Sequence, residues 1–135
     1  MKFLLDTNTC IVYMKGKNLS LKRRLESTLI QDIFVCSVVK AELFYGAMKS
    51  INPQGNLAHQ RSFLSQFQSL PFDDIATLIF ATIRSQLEAS GTPIGAYDLQ
   101  IAAIALANDL TLVTHNVREF SRVADLKVED WERDV

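Results

Sequence analysis

Four acidic residues occupy the positions in this 135-residue sequence that most directly suggest chemistry. Asp6 ends a short apolar run typical of a buried strand, and Glu42 lies about one turn into a predicted helix. Asp98 begins an almost wholly apolar helix, and Glu119 follows a predicted strand. Because the carboxyl ends of parallel strands meet at one edge of a sheet, we expect the four carboxylates to converge in one cleft.

Convergence of these carboxylates has an electrostatic cost that a divalent cation would remove. Four carboxylates without Lys or Arg beside them repel one another in a partly buried cleft. Ligation by oxygen alone favours Mg²⁺ or Mn²⁺ over zinc. A cation held in this way neutralises charge on a phosphate, lowers the pKa of a bound water and aligns it for in-line attack. The predicted chemistry is therefore metal-dependent phosphodiester hydrolysis, with these residues as both metal ligands and catalytic groups: Asp6, Glu42, Asp98 and Glu119.

Polar and aromatic residues near the acids suggest supporting roles. The side chains that could orient the ligands or the attacking water are Thr7, Asn8, Thr114 and Asn116. A metal-free ribonuclease would instead use a His pair, or a His with a Lys, as its acid and base. The sequence has only His59 and His115, which we predict to be non-catalytic, although His115 could contact substrate. Tyr13 and Tyr97 could stack on a base, with core packing as the alternative.

Each acid also has an ordinary structural explanation. Asp6 could serve only as the N-cap of the following helix, since Asp is a preferred N-cap residue. Asp98 could be a first-turn charge favoured by the helix dipole. Glu42 could lie on any helix face, and Glu119 could be an exposed loop charge beside Arg118. The metal-site hypothesis therefore rests on the four residues together.

The elements that must position these residues alternate along the chain. Apolar runs predict strands at residues 3–5, 33–36 and 111–114, a short strand beginning at Phe72 and an edge strand at 127–129. Apolar periodicity and capping signals predict a loop at residues 52–56 and helices at 9–14, from Asn18 or Ser20 to Leu29, 37–48, 57–70, 75–89 and 98–108. We expect Ser37 to cap its helix and Gly46 to permit close packing. The alternation predicts an α/β fold with a parallel sheet sandwiched by helices.

The overall composition fits one ordinary globular domain spanning residues 1–135. The chain is 48% apolar and 21% charged with a net charge of −1, so its total charge does not indicate nucleic-acid binding. Basic residues are concentrated in the N-terminal third, where a local basic face could guide a polyanion. No apolar stretch is as long as a membrane span and no export signal is evident, so we predict a cytoplasmic protein. Cys10 and Cys36 lack metal-ligand spacing and fit a reducing compartment.

Four segments in order resemble the PIN-domain ribonucleases, specifically the VapC toxins of bacterial toxin–antitoxin pairs. The segments are LLDTN at residues 4–8, SVVKAEL at 37–43, GAYDLQIA at 95–102 and LVTHNVREF at 112–120. The resemblance extends over essentially the whole chain. It implies a Rossmann-like parallel sheet, an acidic Mg²⁺ or Mn²⁺ site and endonucleolytic cleavage of RNA. The similarity is to the branch that cuts tRNA in the anticodon loop, notably initiator tRNA.

The resemblance also assigns roles and partners. Asp6, Glu42 and Asp98 match the metal-site acids of the family, and Glu119 stands where a Thr-x-Asn-x-x-Asp-Phe pattern usually has Asp. The extra methylene of Glu119 would make it a water-mediated or second-metal ligand. Residues matching the supporting part of the pattern are Thr114 and Asn116. The family further implies a homodimer and a VapB-like antitoxin whose C-terminal peptide occupies the cleft. Helices carrying Phe63 and Phe67 could form those interfaces, or these rings could fill the core.

Two other functions stay open at this point. The segment around Asp6 also resembles the strand-end Asp-x-Asp-x-Thr of haloacid-dehalogenase-type phosphatases, in which the first Asp is the nucleophile. The second Asp is missing here, and no later Lys followed by an acidic pair is evident. The other alternative is a catalytically degenerate PIN fold that acts as a binding module. Glu119 in place of Asp is the feature that favours it, whereas retention of Asp6, Glu42 and Asp98 argues against it.

Overall fold

A five-stranded parallel sheet forms the centre of the molecule in a computed structural model that describes residues 1–133. The last two residues of the expected 1–135 domain therefore lie outside the described residues. In chain order the strands are β1 (Phe3–Leu5), β2 (Ile33–Cys36), β3 (Gln68–Leu70), β4 (Thr111–Val113) and β5 (Val128–Glu129). Their order across the sheet is β3-β2-β1-β4-β5. The prediction of a parallel sheet with β1 in a central position is confirmed.

Helices connect the strands and cover the sheet. They are α1 (Thr7–Lys15), α2 (Leu19–Ser27), α3 (Ser37–Met48), α4 (Pro53–Leu64), α5 (Asp74–Ala89), α6 (Ala96–Ala107) and the short α7 (Val117–Phe120), with a 3₁₀ turn at Ile30–Asp32. The apolar α6 is buried as its composition predicts, and it packs along α5. Within residues 1–133, no helix combines the length and the apolar composition needed to cross a membrane.

The central strand is apolar because both of its faces are covered. Leu4 and Leu5 have no exposed surface, and the ring of Phe3 packs edge-on against Trp131 with centroids 4.9 Å apart. Cys10 and Cys36 are also buried, so both thiols act as small core groups. A core of this kind holds the carboxyl end of β1, and with it Asp6, in a fixed position.

The region between α3 and α5 differs from the prediction. The expected loop at 52–56 begins α4, because the Asn52 side chain accepts a hydrogen bond from the Gly55 N–H at 3.1 Å and Pro53 suits the first helical turn. The expected helix at 57–70 ends at Leu64. Phe67 then turns into the core against Phe63, with ring centroids 5.2 Å apart. Both rings fill the core, which leaves them unavailable for an interface.

The third strand also lies earlier than predicted. Instead of beginning at Phe72, β3 covers Gln68–Leu70 and pairs with β2 from Phe34 to Cys36. The polar residues Gln68 and Ser69 hid this strand from a search for apolar runs, because β3 is a partly exposed edge strand. Ser37 is the first residue of α3, and the N-cap position belongs to Cys36, which makes no side-chain capping bond.

Candidate active site

Asp6 is both the N-cap of α1 and a buried carboxylate at the end of β1. Its backbone N–H continues the strand ladder to the Val113 carbonyl at 3.1 Å, and its Oδ1 accepts the Thr9 N–H at 2.8 Å. The side chain is only 5% exposed. Burial raises the pKa of this carboxyl, while hydrogen bonds with Thr114 and Thr9 lower it. The two explanations offered by the sequence therefore do not exclude each other, since the capping bond uses only one of about four acceptor positions of the carboxylate.

Glu42 is held by Thr7, one of the predicted supporting residues. The Thr7 hydroxyl in the first turn of α1 donates to Glu42 Oε1 at 2.7 Å. This bond links α1 to α3 and restricts the rotamers that the Glu42 side chain can adopt. Asn8, the next residue along α1, is exposed and lines a groove that also reaches Glu42. Thr7 and Asn8 thus lie on the same side of the site as Glu42.

Asp98 is the third predicted ligand, and its carboxyl is influenced by the other three acids. It lies in the first turn of α6 and is half-buried. Its pKa is raised to about 6, first by burial and then by the charges of Glu42, Asp6 and Glu119. Charges from three other parts of the chain therefore act on Asp98, while the assignment of the four acids as a metal site stays a prediction. Within residues 1–133, none of the four carboxylates forms an ion pair with a basic side chain.

Glu119 lies in α7, where the sequence predicted a loop, and its side chain is positioned by Asn116, the N-cap residue of that helix. The Asn116 side-chain amide donates to Glu119 Oε2 at 3.1 Å. The Asn116 backbone N–H donates to the buried hydroxyl of Thr114 at 3.0 Å. This short network joins the end of β4 to the first turn of α7. It explains how the Thr-x-Asn-x-x-acid spacing presents the last carboxylate to the cleft.

Sequence reasoning missed an acidic pair that follows β5. Asp130 raises the pKa of Asp6, and Asp130 and Asp6 both contribute to the raised pKa of Glu132, behind its burial. His115 Nδ1 lies 3.0 Å from Asp130 Oδ2, and Arg133 Nε lies 3.4 Å from the same oxygen. One donor atom from each of His115, Asp130 and Glu132 lies within 4.8 Å of the other two. The strand-end rule that selected Asp6 would also have selected Asp130, directly after the predicted edge strand.

The comparisons with known proteins agree with this geometry. A model of the PIN domain matches residues 3–126. The tRNA(fMet)-specific endonuclease VapC of Salmonella typhimurium is 40% identical over 97% of this chain and 98% of its own length. Ribonuclease VapC2 of Haemophilus influenzae is 37% identical over the same shares. A crystal structure of DNA-bound VapBC from Salmonella typhimurium superposes with a TM-score of 0.91, covering 97% of this chain and 98% of the other at 40% identity.

The chain belongs to the PIN-domain family, in its VapC branch. This membership and the matching fold decide against the haloacid-dehalogenase alternative. The PIN fold also explains the shared position of the four acids, since β1, β4 and the starts of α3 and α6 meet at one edge of the sheet.

The donor set of this PIN domain fits a divalent cation. Its four predicted ligands offer only carboxylate oxygens, with hydroxyl and amide groups of Thr7 and Asn116 already bonded to two of them. Within residues 1–133, these four do not form a group of three with all donor atoms inside 4.8 Å of one another. Burial first, and then the charges of Glu42, Asp6 and Glu119, raise the pKa of Asp98, so the negative charges of the other three acids are felt at this carboxyl. A cation that draws the acids together would relieve the same repulsion.

Proposed function

We propose that this chain is an Mg²⁺- or Mn²⁺-dependent endoribonuclease that cleaves tRNA and is inhibited by a VapB-like antitoxin. The observation that carries this proposal is the placement of Asp6, Glu42, Asp98 and Glu119 at the carboxyl edge of a PIN-domain sheet, where burial and then the charges of the other three acids raise the pKa of Asp98. The tRNA substrate is supported by the 40% identity to a relative named as a tRNA(fMet)-specific endonuclease. The antitoxin is supported by the similarity to VapBC complexes.

The reaction is hydrolysis of a phosphodiester. The oxygen of water bonds to phosphorus while the bond from phosphorus to the 3′ oxygen breaks, and that oxygen takes up a proton. The products carry a 5′-phosphate and a 3′-hydroxyl. A divalent cation, when bound, would neutralise charge on the phosphate and lower the pKa of the attacking water.

The residues of the chain have separate roles in this proposal. Asp6, Glu42 and Asp98 would hold the cation, and Glu119 would do so directly or through water. Thr7 and Asn116 keep Glu42 and Glu119 in place through the bonds of 2.7 and 3.1 Å. Further predicted supporting residues are Asn8, which lines the adjoining groove, and Thr114, which lies beside Asp6. The capping bond to Thr9 fixes the orientation of Asp6 before substrate arrives.

We further infer a cytoplasmic location, where tRNA is available and buried thiols stay reduced. The homodimer implied by the family resemblance stays a prediction. Light scattering of the purified protein across a concentration series tests it directly.

Cleavage of total tRNA tests the main proposal. We expect cuts with Mg²⁺ or Mn²⁺, none with EDTA, and fragments with 5′-phosphate and 3′-hydroxyl ends. Asp6→Asn should remove the activity yet keep the fold, because Asn is as good an N-cap as Asp. Fragments with 2′,3′-cyclic phosphate ends would contradict the proposed chemistry. Metal binding without cleavage of any RNA would instead favour the binding-module alternative.

A further inference from the structure

A groove of about 430 Å³ adjoins the acidic site and has exposed aromatic walls. Tyr45 from α3 and Tyr97 from α6 line it, and their side chains are 66% and 61% exposed. Lys49, at the end of α3, places its Nζ 4.7 Å from the centre of the Tyr45 ring. Thr7 and Glu42 form the end of the groove nearest the acids. The groove is therefore continuous with the proposed site of phosphodiester cleavage.

The floor of the groove is open where the sequence suggested close packing. A Cβ built on Gly46 would meet no atom within 4 Å, so the expectation that this glycine permits close packing is wrong. Gly46 lies inside α3, where Gly is disfavoured by about 1 kcal/mol relative to Ala. Its lack of a side chain leaves space in the groove between Tyr45 and Tyr97. No neighbouring atom of the protein packs into that space.

We propose that this groove holds one unstacked nucleobase of the RNA substrate, against the exposed rings of Tyr45 and Tyr97. The inference rests on the proposed ribonuclease function and adds a site at which the enzyme recognises a base of its RNA substrate. Single-stranded RNA is recognised by stacking of splayed bases on aromatic side chains, with Lys or Arg following the backbone. The two exposed tyrosines and Lys49 supply both features.

Size and position favour a single base over a larger ligand. A volume of about 430 Å³ falls within the range of small-ligand pockets, which runs from about 300 to about 1,000 Å³. Because Glu42 belongs both to the groove and to the acidic site, a phosphodiester at the acids brings a neighbouring nucleotide to the tyrosines. Asn8 offers an exposed amide that can hydrogen-bond a base edge. The tyrosines and Lys49 are therefore positioning residues for substrate.

Binding of RNA by a cleavage-inactive variant tests the groove without relying on activity. In an Asp6→Asn background, a single-stranded RNA heptamer with central 2-aminopurine should bind with quenched fluorescence. Tyr45→Ala or Tyr97→Ala should weaken binding about 10- to 100-fold, since stacking on an aromatic ring contributes about 1–3 kcal/mol per base. Tyr45→Phe and Tyr97→Phe should restore the quenching, because they keep the ring. An abasic site in place of 2-aminopurine should make the parent and the Ala variants bind alike.

Gly46 provides a matched pair of variants that separates filling of the groove from damage to the helix. Gly46→Leu should fill the groove and raise KM for tRNA cleavage by the same factor as the tyrosine variants, with kcat within about threefold. Gly46→Ala should fold at least as stably, since it improves helix propensity, and should raise KM less than Gly46→Leu because it adds only one methyl group to the groove.

The outcomes distinguish this inference from the proposed function. Parental KM and parental quenching in the Tyr45→Ala, Tyr97→Ala and Gly46→Leu variants, with tRNA still cleaved, would overturn the base site alone. Weaker inhibition by the antitoxin in these variants, without a change in RNA binding, would assign the groove to the protein partner and also overturn it. Loss of quenching in a protein that cleaves no RNA would support the base site while the ribonuclease proposal fails.

Discussion

Two acidic groups lie at the same edge of the sheet, and they differ in how their charge is balanced. Around Asp98, the charges that act on the carboxyl are all negative. Around Asp130, a histidine lies at 3.0 Å and an arginine at 3.4 Å from one carboxylate oxygen. Within residues 1–133, the four acids of the first group form no ion pair, whereas Asp130 of the second group has the Arg133 guanidinium and the His115 ring beside it. Although the second group is the tighter of the two, the balance of charge favours the first as the metal site.

Removal of the Asp98 charge should have the largest effect. Asp98→Asn should abolish tRNA cleavage, because it removes a predicted metal ligand. The same change should raise the free energy of unfolding of the metal-free protein by about 1 kcal/mol at pH 7.5, since it removes the cost of burying a charged carboxylate and then the repulsion from three others. Activity assays and thermal denaturation in EDTA measure the two effects. Asp74→Asn is the matched control, because Asp74 is an exposed acid in the first turn of α5. A fully active Asp98→Asn protein would remove this residue from the site.

Stabilisation of the protein by a bound metal should depend on the acidic group around Asp98. Mn²⁺ at 100 times its dissociation constant should stabilise the parent protein by about 2.7 kcal/mol, because it binds the folded state only. Asp98→Asn should lose most of this gain, which differential scanning calorimetry with and without Mn²⁺ would show. An undiminished gain in Asp98→Asn would mean that the cation binds elsewhere.

The positions of Asp6 and Asp98 were predictable from the sequence because each follows a strong local signal. Asp6 ends an apolar strand and Asp98 opens an apolar helix, and both elements are central in the sheet or the core. The missed residues depend on weaker elements. Asp130 is positioned by β5, a two-residue edge strand, and the groove depends on which face of α3 stays uncovered. Edge pairing and helix exposure are set by tertiary contacts, and these leave little trace in the local pattern.

Loss of the bonds that support the acids should have intermediate effects. Thr7→Val removes the 2.7 Å bond to Glu42, and Asn116→Ala removes the 3.1 Å bond to Glu119. Each change should lower activity at limiting Mn²⁺ about 10- to 100-fold, with partial recovery at high Mn²⁺, because misoriented ligands weaken metal affinity. Thr82→Val is the matched control, since its hydroxyl bonds only within α5. Losses that high Mn²⁺ does not reduce would indicate a structural role.

The pH dependence of stability should differ between the parent and Asp98→Asn. Because the Asp98 pKa of about 6 in the folded state exceeds the ordinary carboxyl value of 3.8, the folded protein binds this proton more tightly than the unfolded chain. The metal-free parent should therefore lose about 1 kcal/mol relative to Asp98→Asn as pH rises from about 4 to 6, after allowance for solvent screening. Denaturant unfolding in EDTA at several pH values measures this difference. If the free energy of unfolding varied with pH in the same way for both proteins, the Asp98 pKa would not be raised in the folded state.

Removal of the Asp130 charge should have the smallest effect on activity and stability. His115 and Arg133 have side chains 52% and 75% exposed, so their pairs with Asp130 should stabilise the protein by at most about 1 kcal/mol. Asp130→Asn can keep the 3.0 Å bond from the Glu132 N–H to Oδ1, so we expect near-parental tRNA cleavage and full stabilisation by Mn²⁺. If Asp130→Asn instead lost the Mn²⁺ stabilisation that Asp98→Asn retained, the cation would belong to His115, Asp130 and Glu132. In that case the metal site would be identified by the closeness of its donor atoms, and the balance of charge would not identify it.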